Sequence, residues 1–277
     1  MLKQRVITAV LLVAILLPAL FAHDPLWIAS LASVLLGLAF WEWCRIIHCS
    51  QGVARLSAVA LMALTWVLQI GPIPAAAIPA GWGLINLGWA FFLIGMCVQG
   101  VQFWQRIPLA FKWAWGAVSL TATWLALFEA KVIGVNFLLS VFCLVWAADI
   151  GAYFAGRAFG RHKLAPTLSP GKTWEGVAGA AVAVVVLGFF WQWLDQRVSV
   201  DAASFFTQSG LRWGWASLML WAVMLAASVL GDLFESMLKR VAGVKDSSGL
   251  LPGHGGVLDR IDALLPVLPL ALWALTW

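Results

Sequence analysis

Residues 211–240 read LRWGWASLMLWAVMLAASVLGDLFESMLKR: between Arg212 and Asp232 no side chain carries a charge, and then two acids and two bases arrive together. About twenty apolar residues make a helix that crosses the hydrocarbon of a bilayer, so this stretch is a membrane span that ends in chemistry. The rest of the chain has the same character. Its 277 residues are 63% hydrophobic and 10% charged, with a mean hydropathy of +0.94, which excludes a soluble globular protein. Apolar runs at 6–22, 26–47, 56–72, 80–99, 112–129, 132–154, 176–194, 211–238 and 258–277 predict an all-α polytopic integral membrane protein of about nine transmembrane helices. Nineteen Trp against one Tyr, Tyr153, suit many membrane–water interfaces.

The first run follows Lys3 and Arg5, and Leu20-Phe21-Ala22 is a poor cleavage site, so it reads as an uncleaved helix and not a signal peptide. Between the third and fourth runs, Gly71-Pro72-Ile73-Pro74-Ala75 reads as an uncharged turn. The four cysteines make no disulfide framework; Cys97 and Cys143 lie inside apolar runs, Cys44 and Cys49 flank a basic turn, and all four read as small apolar fillers.

Short cytoplasmic loops hold the excess of Lys and Arg. With the N-terminus inside, the inner loops collect Lys3, Arg5, Arg45, Arg55, Arg106, Lys112, Arg157, Arg161, Lys163, Lys172, Lys239, Arg240 and Lys245, whereas the outer edges keep Lys131, Arg197 and Arg212. This predicts a cytoplasmic N-terminus and an outside C-terminus. The net charge of +5 is thus a topology signal, with no nucleic-acid partner implied. Asp24, Glu129, Asp195 and Asp201 fall outside; Glu42, Asp149, Glu175, Asp232, Glu235, Asp246, Asp259 and Asp262 face inward or sit in membrane. Residues 1–130 therefore read as transmembrane scaffold and 131–277 as a transmembrane catalytic domain with its polar site toward the cytoplasm.

Asp232, Ser236 and Lys239 recur at i, i+4 and i+7, which places them on one helical face with Glu235 beside them. An acid there can simply pair with a base to fix helix packing, but intramembrane acids are functional by default. The loop after this span closes with Leu251-Pro252-Gly253-His254-Gly255-Gly256 and feeds Val257-Leu258-Asp259-Arg260-Ile261-Asp262. A Gly-rich turn opening a helix suits phosphate oxygens, although such a run also occurs as a bare turn. One of Asp259 and Asp262 can be a cap, yet two in a first turn with a third at Asp232 exceed capping needs. Three converging carboxylates suit a hard cation such as Mg²⁺, which shares its oxygen ligands with substrate phosphates. With Lys239, Arg240, Lys245 and Arg260 nearby, the site reads as built for metal plus polyphosphate, and Ser236 as a phosphate donor. A second cluster has Asp149, Tyr153, Arg157, Arg161, His162 and Lys163, then Ser169-Pro170-Gly171-Lys172-Thr173-Trp174-Glu175-Gly176. Arg157, Arg161 and Lys163 are accounted for by topology, His162 reads as a solvated loop residue, and Tyr153 serves an interface as readily as a substrate. Lys172, between a Pro-Gly turn and a helix start, points at an anion.

The 27 residues 236–262, from Ser236-Met-Leu-Lys239-Arg240 through Lys245-Asp246 and His254-Gly255-Gly256 to Asp259-Arg260-Ile261-Asp262, resemble the signature of the phosphatidate cytidylyltransferase (CDP-diacylglycerol synthase) family. Asp149-Ile-Gly-Ala-Tyr153 and Ser169–Gly176 resemble two further blocks of it in the same order. Ile150 departs from it, standing where many members carry a small hydroxyl residue. Before about residue 140 the likeness is general: hydropathy and a Trp41-Glu42-Trp43 segment. The resemblance implies a dimeric enzyme of the bacterial inner membrane that converts CTP and phosphatidate to CDP-diacylglycerol and pyrophosphate with a divalent metal, and leaves room for a monovalent ion such as K⁺. It puts the metal-binding aspartates on Asp232 and Asp259, and Lys172, Lys245, Asp246, His254, Gly255, Gly256, Asp149 and Glu175 in the substrate-binding set.

The chemistry of the residues agrees. Both substrates are multiply anionic, and bringing their phosphates together needs counter-charge but no general base, because the nucleophile is already ionised. A CTP-dependent lipid-alcohol kinase is the competing enzyme and would yield CDP. A secondary transporter is the competing class, opposed by charges clustered at one face without an internal repeat.

Overall fold

The computed structural model describes residues 2–70 and 77–276. In chain order it contains α1 (Leu2–Phe21), α2 (Leu26–Ile46), α3 (Gln51–Ile70), α4 (Ala77–Gln99), α5 (Val101–Arg106), α6 (Leu109–Ile133) and α7 (Val135–Phe159). After a hairpin, β1 (Lys163–Ala165) and β2 (Ser169–Thr173), come α8 (Trp174–Asp195), α9 (Phe205–Trp213), α10 (Ser217–Ala242), α11 (Leu258–Ile261) and α12 (Leu264–Ala274). Among the described residues seven helical segments are long and apolar enough to cross a membrane, α9 and α10 counting as one. The chain is an all-α polytopic membrane protein, and many of its large apolar side chains, such as Leu84, Leu87, Val98, Leu211 and Met219, face outward from the bundle as lipid contact requires.

Three expectations change. The antiparallel β1–β2 pair, in register Lys163 with Thr173, interrupts an otherwise helical chain. The eighth run breaks at Gly214, whose φ of +54° suits glycine; the long helix starts at Ser217, so Asp232 lies only about 22 Å along it at 1.5 Å per residue. The ninth run splits into α11 and α12, although Asp262 and Ala263 between them keep helical backbone angles; Pro266 has no N–H to offer the Asp262 carbonyl. The turn expected at 71–75, and the last two residues of the third run, lie outside the described residues.

Two buried cores position the polar residues. In the first, Phe234 of α10 meets Trp104 at 5.4 Å, Trp89 at 5.6 Å and Trp43 at 6.3 Å between ring centroids. This aromatic knot ties the C-terminal half of α10 to α2, α4 and α5. The second gathers Phe137, Phe205, Phe206, Trp221 and Val267. Both cores draw on residues from either side of residue 130.

Polar contacts collect at the two ends of the bundle. At one end, Lys131 is buried and donates to the carbonyls of Leu20 at 2.7 Å and Ala22 at 2.9 Å, satisfying the C-terminal carbonyls of α1. Asp201 there accepts from the backbone N–H groups of Val135 and Asn136, and Arg212 donates to Leu275 O at 3.0 Å. The other end holds the acids and bases singled out above.

Candidate active site

Where α7 meets α8, only small residues fit. A Cβ on Gly151 would lie 2.7 Å from Ala183 Cβ and 2.8 Å from Gly179 O, and one on Gly179 would overlap Ala155. This seam lets the backbones approach closely and brings Asp149 to one wall of a cavity of about 240 Å³, with Tyr153, Lys172, Thr173, Val229 and Asp232 on its other walls. Thr173 accepts from Gly176 N at 3.1 Å as the N-cap of α8, and the preceding strand delivers Lys172. Its Nζ lies 2.7 Å from Asp232 Oδ2, and Ser236 Oγ donates to Asp232 Oδ1 at 3.3 Å. Asp149, Lys172, Asp232 and Ser236 are thus brought together.

One turn further along α10, Lys239 is clasped between Glu235, four residues back, and Asp259 Oδ1 at 2.6 Å. The other oxygen of Asp259 takes Ser247 N at 2.9 Å, Ser247 Oγ at 2.8 Å and Gly256 N at 2.8 Å. Asp232 and Asp259 sit on opposite arms of one charged strip, each already facing a lysine.

Arg240 donates through Nε to Leu168 O at 3.2 Å, bracing the hairpin turn, and Arg260 donates to His254 O at 2.9 Å. Each guanidinium keeps further N–H groups for other partners. Gly255 adopts φ +82°, and a Cβ on Gly256 would overlap Ser247 Oγ and the carboxylate of Glu42. Lys245 and Asp246 stand exposed on the loop. His254 is half-buried, with an Nδ1 that lacks a hydrogen-bond partner among the described residues. Tyr153 accepts from Arg157 at 2.9 Å. Glu175 points away: it lies 2.6 Å from His162 Nδ1 and accepts from the backbone of Arg161 and His162, so His162 is exposed yet partnered.

The expected convergence of Asp232, Asp259 and Asp262 does not occur. Asp262 turns its Oδ1 to Ala263 N at 2.8 Å, and among the described residues no three His, Cys, Asp or Glu side chains come together in a cage able to hold a metal. The donor chemistry still fits Mg²⁺, which binds through one or two carboxylates, waters and substrate phosphates and seldom through an all-protein cage. Asp232, with 34% of its side chain exposed on the cavity wall, is open to such an ion, and the exposed Asp149 lines the same cavity.

One participant escaped the sequence reading. Glu42, near the end of α2, reaches the 247–258 loop and accepts four hydrogen bonds there. Its signal was available: an acid between two Trp residues inside an apolar span.

A family model described as the cytidylyltransferase family matches residues 3–277. Proteins named phosphatidate cytidylyltransferase are similar over nearly the whole chain. That of Haemophilus influenzae is 37% identical, covering 97% of this chain and 96% of its own. That of Pseudomonas aeruginosa is 37% identical, covering 100% and 99%, and that of Brucella suis 35% identical, covering 95% and 89%.

Proposed function

The chain belongs to the cytidylyltransferase family, and from that premise we propose that it joins CTP to phosphatidate at the strip from Asp149 to Asp259, releasing CDP-diacylglycerol and pyrophosphate. The observation that carries the site assignment is the Lys172–Asp232 pair at 2.7 Å on the wall of a cavity in an otherwise apolar bundle.

An ionised oxygen of the phosphatidate phosphate attacks the α-phosphorus of CTP. A P–O bond forms to that oxygen, the bond from the α-phosphorus to the α–β bridging oxygen breaks, and pyrophosphate leaves with the electron pair. No side chain has to remove a proton. What the residues must do is hold phosphates together against their repulsion. Lys172 and Lys239 are fixed ammonium groups for that task, since Asp232, Glu235 and Asp259 keep them in place. Arg240, Lys245 and Arg260 add donors from the loop side, Ser236 offers a hydroxyl, and the backbone of Gly255 and Gly256 allows close approach. Asp232 and, on the other arm of the strip, Asp259 would each offer a carboxylate to Mg²⁺ together with the substrate phosphates, and a monovalent ion such as K⁺ would be a second occupant. When bound, the divalent ion supplies Lewis-acid neutralisation of phosphate oxygens.

Purified protein in detergent with CTP, phosphatidate and Mg²⁺ tests the reading. Pyrophosphate and a CDP-lipid are expected; CDP and a phosphorylated lipid would make the protein a kinase instead. Asp232→Asn is expected to lower turnover by roughly 100-fold or more while the protein still inserts, and near-normal activity would remove Asp232 from the site.

We also propose nine crossings of the bacterial inner membrane, with the N-terminus and the active site in the cytoplasm and the C-terminus outside, in a homodimer. Supporting this, the sequence-assigned outer residues Lys131, Asp201 and Arg212 share one end of the bundle and the site the other. A reporter fused after Trp277 that behaves as cytoplasmic would overturn the orientation, and a single-subunit mass in detergent the dimer.

A further inference from the structure

Glu42 is 0% exposed, and every hydrogen bond it accepts comes from the segment that carries Asp259. Leu258 N donates to Oε2 at 2.7 Å and Ser247 Oγ to the same oxygen at 3.2 Å. Val257 N donates to Oε1 at 3.1 Å, joined there by Ser248 Oγ. Asp259 draws on the same few groups, through Gly256 N, Ser247 N and Ser247 Oγ. The two carboxylates therefore interleave. Of three consecutive N–H groups, that of Gly256 turns to Asp259 and those of Val257 and Leu258 to Glu42, while the Ser247 hydroxyl contacts both acids.

Burying a carboxylate is costly unless its oxygens are met by donors. An apolar side chain would serve helix packing at this position without that cost. What the acid adds is convergence: it gathers four donors separated by up to eleven residues and holds the loop in one shape. That shape orients Asp259, and Asp259 orients Lys239 at 2.6 Å. Because α2 is anchored through Trp43 to the aromatic knot around Phe234, the loop is referenced to the same body that carries α10.

We propose that Glu42 is a positioning residue for nucleotidyl transfer, acting through the 247–258 loop to set Asp259 and the Lys239 ammonium against the nucleotide phosphates. This gives the N-terminal half a part in the chemistry, and it rests on the transfer reaction proposed above.

The test is steady-state turnover of Glu42→Gln and Ser248→Ala in detergent, with kcat and KM for CTP measured alongside the thermal unfolding midpoint and the monodispersity of each protein. Gln keeps the size of Glu but turns an NH₂ group toward the loop donors. A roughly 10- to 100-fold loss of kcat in folded Glu42→Gln is expected, since a small misplacement of catalytic groups costs up to that much. Ser248→Ala, which removes one donor to Glu42, is expected to lose several-fold in kcat with a midpoint close to that of the parent. Midpoints that fall while kcat per folded molecule stays within twofold of the parent would overturn the proposal and leave Glu42 a packing acid. Should Glu42→Gln not fold, Ser248→Ala decides: unchanged kcat sinks the proposal, reduced kcat at unchanged midpoint sustains it. If the parent protein forms no CDP-lipid, the proposed reaction fails, which is distinct from an active parent whose Glu42 and Ser248 variants are equally active.

Discussion

Gly256 has no room for a side chain: a Cβ would enter space held by Ser247 Oγ and the Glu42 carboxylate. Gly256→Ala is therefore expected to abolish most activity and lower the thermal midpoint. Gly249→Ala in the same loop meets nothing within 4 Å and is expected to leave both within experimental scatter, which a paired melting and turnover measurement checks. Lys239 poses the opposite problem, a cation shared by two acids. Lys239→Ala strands Glu235 and Asp259 together, with an expected loss of about 3 kcal/mol, the scale of a broken buried pair; a denaturation series in detergent would read it. Of these residues, Lys239 and Asp259 were legible from their spacing. Glu42 was legible as an acid in an apolar run but its partners were not, because they lie more than 200 positions away.

The α7–α8 seam and the β1–β2 hairpin decide where Lys172 stands. Replacing Gly179 with Leu would force the helices apart at Ala155 and move Asp149 away from Lys172 and Asp232. Gly179→Leu is expected to keep the protein in the membrane while turnover falls by at least roughly tenfold, a single ångström of misplacement being enough; near-normal kcat would show that the seam does not set the site. Loss of the α8 cap in Thr173→Ala is expected to cost about 1 kcal/mol, seen as a lower midpoint. The apolar runs announced the long helices with useful accuracy. The hairpin was not announced, since it depends on a contact distant in sequence, Arg240 holding Leu168; nor was the shape of the loop before α11, which Glu42 holds at its end.

At the scale of the whole molecule, the end opposite the site has its own organising acid. Burial alone would raise the pKa of Asp201, but donation from Asn136 and Val135 outweighs it and holds the carboxyl below its ordinary value. A depressed folded pKa means that the stabilisation is present above the unfolded value of about 3.9 and fades as pH falls through the folded one. The midpoint gap between the parent and Asp201→Asn should therefore be full at neutral pH and close only in acid; a gap constant down to pH 3 would contradict this. The sequence by itself determined that the chain is a polytopic helical membrane protein, which end of its chemistry is crowded with charge, and to which family it belongs. Those follow from local hydropathy and from short-range spacing, each encoded within a few turns of chain. Only the tertiary structure decided which acid meets which base. It divided Asp232 from Asp259 between two lysines, sent Glu175 to His162, and brought Glu42 to the 247–258 loop. Ion pairs and buried hydrogen bonds are set by distances of a few ångströms between elements, and no spacing along one element specifies those.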